Sequence, residues 1–69
     1  MSPHASWMKV REVLAMLRAD GWFLVAFRGS HRQFKHHIKP GRVTVAGKTG
    51  HELSIGTLKS ILKQAGITL

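Results

Sequence analysis

Two stripes of apolar residues, one near each end of the chain, set the terms on which this sequence can fold. Val10, Val13, Leu14 and Leu17 recur at i, i+3, i+4 and i+7, and Leu58, Ile61, Leu62 and Ala65 repeat the spacing near the other end. Each stripe is the buried side of an amphipathic helix. Lys9, Arg11, Glu12 and Arg18 lie off the first, and Lys59 and Lys63 share a different face of the second. Neither helix can cover its own stripe. With 69 residues and no cysteine, the chain allows one domain and no disulfide framework or thiolate metal site. The segment between the helices must therefore supply the rest of an apolar core.

That segment reads as strands. Asp20-Gly21 ends the first helix, with Gly21 suited to a left-handed turn. Trp22 to Arg28 is aromatic and β-branched, but its apolar residues fall at both parities and its faces cannot be assigned. Gly29-Ser30 makes a turn short enough for an antiparallel hairpin into His31 to His36. Pro40-Gly41 breaks the pattern, and Arg42 to Ala46 resumes it with Val43 and Val45 on one face. A polar loop, Gly47 to Glu52, leads to Ser54, which is placed to cap the last helix; Ala65-Gly66 stops it. Helix, three strands, helix implies two helices on one face of a small antiparallel sheet, with the other face open. Residues 1–8 carry neither a charged start nor an apolar run and are set aside as a loose leader or expression remnant, leaving 9–69 as a single domain. No segment nears the length of a membrane span, and the protein is expected in the cytoplasm.

Eleven lysines and arginines against three acids give a net charge of +8. A polyanion is the expected partner. Nucleic acid fits, an acidic protein covering the same face fits equally, and plain solubility is the simplest alternative.

The chemistry converges on Gly29 to His36. Strand alternation sets His31, Gln33 and Lys35 on one face and Arg32, Phe34 and His36 on the other, so a buried Phe34 turns the first triad to water. An imidazole can move the protons of RNA cleavage while nearby cations meet the developing phosphorane charge. An exposed histidine is also an ordinary surface residue on a basic protein, and both readings stand on pattern alone. Two-metal catalysis needs clustered carboxylates, whereas Glu12, Asp20 and Glu52 are few and scattered. His36 and His37, being adjacent, point to opposite faces and cannot share a metal; His36 could instead touch phosphate. Gly47-Lys48-Thr49-Gly50 lacks the spacing and βαβ setting of a phosphate-binding loop. Lys59 and Lys63 either grip phosphate or solvate their helix. Trp22 and Phe27 could stack on bases, but a domain this small needs its aromatics inside, and core is the expectation.

Taken together, Asp20-Gly21-Trp22, Gly29-Ser30-His31, Phe34-Lys35-His36, Lys39-Pro40-Gly41, Val43-Thr44-Val45 and the run from Gly56 to Gly66 carry a family pattern. From about Lys9 to Ile67 the chain resembles the HicA-type, or YcfA-like, toxins of bacterial toxin–antitoxin pairs. The resemblance implies an α+β, double-stranded-RNA-binding-like αβββα fold and endonucleolytic cleavage of mRNA without metal or other cofactor. It also implies His31 as the catalytic histidine and neutralisation by a HicB-type antitoxin. Residues expected to touch RNA are Gly29, Ser30, Arg32, Gln33, Lys35, His36, Lys48, Lys59 and Lys63. Where many relatives carry Pro-x-His after the third strand, this chain has Ala46-Gly47-Lys48, so no second histidine is carried over there; Lys48 adds charge but is a poor proton donor. The competing readings are a non-catalytic RNA-binding module of the same fold and a partner that binds only an acidic protein.

Overall fold

The computed structural model describes residues 8–68; the rest of the expected leader, residues 1–7, lies outside the described residues, as does Leu69. The elements are β1 (Met8–Lys9), α1 (Val10–Ala19), β2 (Trp22–Arg28), β3 (His31–His36), β4 (Val43–Ala46), β5 (Glu52–Leu53) and α2 (Ile55–Ala65). β2, β3 and β4 form an antiparallel meander in that order, and β1 pairs with β5 in a separate two-stranded ribbon.

Both apolar stripes are buried as the spacing requires. Val10, Val13, Leu14 and Leu17 of α1 and Leu58, Ile61, Leu62 and Ala65 of α2 join Trp22, Phe34, Val43, Val45 and Leu53 in one core. The two helices lie on a single face of the sheet, giving the α+β, double-stranded-RNA-binding-like arrangement expected from the sequence.

The helix ends show where the backbone groups go. α2 starts at Ser54, whose Oγ accepts from Thr57 N–H at 3.3 Å. It closes in a Schellman motif, with Gly66 N–H donating to Lys63 and Ile67 N–H to Leu62. α1 has no Ser, Thr, Asp or Asn at its start. Instead Val10 N–H donates to the His51 carbonyl at 2.9 Å and Arg11 N–H to that of Thr49 at 3.0 Å, so the 47–51 loop caps the helix from outside. Met8, grouped with the leader from sequence, pairs with Leu53 and packs against the core.

β2 explains its own mixed pattern. Its register against β3 slips between Leu24 and Ala26, leaving Val25 as a bulge. Trp22 and Leu24 before the slip, and Phe27 after it, lie on the helix side, across from His36, Phe34 and Arg32. The extra residue reverses parity, so no single alternation describes the strand. Trp22 is buried at 2% exposure, as expected, but Phe27 is 57% exposed: it lies at the far end of β2, beyond the cover of the helices.

Candidate nucleic-acid interface

The sheet face turned away from the helices is set by β3. Phe34 is buried, so His31, Gln33 and Lys35 take the outer side, with His31 and Lys35 exposed and Gln33 half-buried. Cross-strand pairing adds their neighbours: Arg28 and Ala46 flank His31, Ala26 and Thr44 flank Gln33, and Phe23 lies beside Lys35. Arg42 joins them, its Nη1 donating to Gln33 Oε1 at 2.7 Å. The three strands and their connections, residues 22–46, contain no acid. The outer face is thus a cationic surface with an imidazole at one end.

The turn before His31 is built for that position. Gly29 has φ +56° while Ser30 stays at negative φ, the pattern of a type II′ hairpin with glycine first. A two-residue turn of this kind puts Arg28 directly opposite His31. Gly47 N–H donates to the Ser30 carbonyl at 3.1 Å, drawing the 47–51 loop against the turn. That loop forms an open basin of about 540 Å³ lined by Gly47, Lys48, Thr49, Gly50 and His51.

Gly29, Ser30, His31, Gln33 and Lys35 therefore come together as expected, with Lys48 on the adjoining loop. Four expected RNA contacts do not join them. Arg32 faces the helix side, where its Nη1 donates to the Gly47 carbonyl at 2.7 Å and its guanidinium lies 4.8 Å from the Phe27 ring centre; it holds the basin loop in place. His36 is half-buried and committed to partners within the protein. Its Nε2 donates to the Asp20 carbonyl at 2.6 Å, and its Nδ1 accepts from the Ile38 and Lys39 amides, which fixes the Nε2–H tautomer and leaves no ring nitrogen for phosphate. Its ring also meets Trp22 edge-on at 5.1 Å. Lys59 and Lys63 project from the exposed side of α2, in the layer across the sheet from His31.

Arg28, Arg42 and His51 are the additions that residue-by-residue reading did not supply. The signal for Arg28 was available, since any two-residue hairpin loop pairs the residues on either side of it. Arg42 and His51 depend on how the loops fold back.

A second cluster lies at the opposite end of β3. Asp20 Oδ2 accepts from Trp22 Nε1 at 3.1 Å and from Lys39 Nζ at 2.6 Å, and the same Nζ donates to the carbonyls of Ala65 and Gly66. The Lys39 ammonium holds the Asp20 carboxyl below its usual value near 3.8. Asp20, Trp22, His36, Lys39, Ala65 and Gly66 all belong to the family pattern. They fasten α1, β2, β3 and α2 to one another, so this part of the pattern is architectural.

Residues 10–67 match the model of a family described as HicA toxin of bacterial toxin–antitoxin systems. No curated protein matches the chain.

Proposed function

The chain belongs to the HicA toxin family of bacterial toxin–antitoxin systems, and on that premise we propose that it is an endoribonuclease that cleaves mRNA in the cytoplasm through His31 and is held inactive by a HicB-type antitoxin. The observation that carries the reading is the pairing of an exposed His31 with Arg28 on an acid-free face. A phosphodiester laid across that face brings its phosphoryl oxygens to the guanidinium and its ribose to the imidazole.

Neutral His31 takes the proton of the ribose 2′-hydroxyl, and the 2′-oxygen bonds to phosphorus while Arg28 compensates the charge of the phosphorane. The bond from phosphorus to the 5′-oxygen then breaks, and the departing oxygen takes a proton from the imidazolium or from water. The products are a 2′,3′-cyclic phosphate and a 5′-hydroxyl. Gln33 and Lys35 hold the strand along β3, and Lys48 meets it at the basin. No metal ion or cofactor enters any step.

His31→Ala tests this. The side chain is exposed, so stability changes by no more than about 0.5 kcal/mol. Cleavage of a labelled RNA in chelator falls roughly 10²- to 10⁴-fold, with affinity much less affected because the cations remain. RNA with a 2′-deoxy sugar at the scissile nucleotide binds and resists cleavage. Wild-type cutting by the alanine variant removes His31 from the reaction; a gel shift without cleavage by the unaltered protein makes it a non-catalytic RNA-binding module.

A further inference from the structure

β2 is an edge strand. Among the described residues β3 pairs one side of it and no strand pairs the other, so its outward-facing amides and carbonyls between Trp22 and Arg28 are open for pairing. The same strand holds most of the exposed apolar surface: Phe23, Leu24, Val25 and Phe27 are 38 to 57% exposed. Six consecutive apolar residues, Trp22 to Phe27, form an edge without an inward-pointing charge and a ready template for another strand, and an exposed patch of this kind marks an interaction site.

The charge around the patch restricts the occupant. Arg28 closes one end, and Lys35 and His37 flank Phe23 at the other, with a ring-centre distance of 4.7 Å between Phe23 and His37. A second copy of a chain carrying +8 would bring cations against cations. We infer that the free edge of β2 receives an extended acidic segment of the antitoxin, which adds to the meander as a fourth strand. Its apolar side chains cover Leu24 and Phe27, and its carboxylates meet Arg28 and Lys35. The anchoring surface is the sheet edge, bordered by Arg28 and Lys35 of the His31 face, and the inference rests on family membership and not on His31 being catalytic.

Amide hydrogen exchange of the toxin, alone and with its HicB-type antitoxin, reads the contact directly. The expected result is fast exchange at alternate amides of 22–28 in the free toxin and slow exchange at those same amides in the complex. The variant Leu24→Glu, which loses apolar contact and sets acid against acid, should weaken antitoxin binding at least tenfold while leaving RNA cleavage unchanged. Unprotected β2 amides in the complex overturn the inference, as does wild-type affinity in the folded variant. Protection already present in the free toxin also overturns it, because the edge is then covered by its own chain or by a second copy. If the variant fails to fold, the exchange measurement on the unaltered complex decides alone. Loss of cleavage in His31→Ala with an unchanged exchange pattern separates this contact from the catalytic reading.

Discussion

Asp20 is the residue on which the distant segments of this domain depend. Its carboxylate receives Lys39 and the Trp22 indole, and its carbonyl receives His36, so one residue joins the end of α1 to the start of β2 and the end of β3. Through Lys39 the connection reaches the last carbonyls of α2, where a cation also meets the negative end of the helix dipole. Because the hydrogen bond from Lys39 lowers the carboxyl pKa in the folded chain, the unfolded chain binds more protons as pH falls through that range. The stabilisation is complete above the ordinary value near 3.8 and is lost below it, as pH falls through the lowered folded value. Thermal midpoints recorded from about pH 5 down to about pH 2 should show this acid limb. Asp20→Asn should flatten it and lower the midpoint at neutral pH, where the ion pair with Lys39 is gone. An unchanged acid limb in the Asp20→Asn variant would assign that limb to other carboxylates.

At the scale of elements, the two tight turns use glycine for different reasons. A Cβ on Gly29, at φ +56°, would meet no atom within 4 Å, so alanine there suffers backbone strain alone, about 1 to 2 kcal/mol. A Cβ on Gly21, at φ +101°, would lie 2.7 Å from His36 Nε2, and alanine must displace the ring that closes on the Asp20 carbonyl. Urea unfolding should therefore show Gly21→Ala to be the more damaging change; equal losses would mean that the ring moves aside freely. The same contrast shows what a sequence discloses about its elements. The α1 and α2 stripes, the Ser54 cap, the Gly29-Ser30 hairpin and the Val43/Val45 alternation are local and periodic, and each is legible without a structure. The faces of β2 were not, because the Val25 bulge breaks the period within seven residues. Two-residue strands such as β1 and β5 have no period to read. The outer triad of His31, Gln33 and Lys35 followed from alternation, whereas the partners of His36 did not. Its ring is taken up by Asp20, Ile38 and Lys39, and the Asp20 contact spans 16 positions of sequence.

At the scale of the whole molecule, the sheet divides the cations into two populations, and this decides how RNA binding should respond to salt. Arg28 and Lys35 stand with His31 on the open face; Lys59 and Lys63 stand on α2, across the sheet. Each phosphate neutralised releases condensed counterions, contributing roughly 0.7 to the slope of log affinity against log salt for a single strand and roughly 0.9 for a duplex. If RNA crosses the open face, Arg28→Gln/Lys35→Gln should reduce that slope by roughly 1.4 to 1.8. Lys59→Gln/Lys63→Gln should leave it nearly unchanged. The two variants lose the same charge, so a general weakening of the protein's field would affect them alike, and only the location of the bound strand can separate them. The result also bears on the chemistry, because a strand held on α2 cannot present its ribose to an imidazole on the other side of the sheet. Should the slope fall in the α2 variant and not in the sheet variant, the RNA lies on the helix layer, and His31 has to be given up as the group that moves the proton.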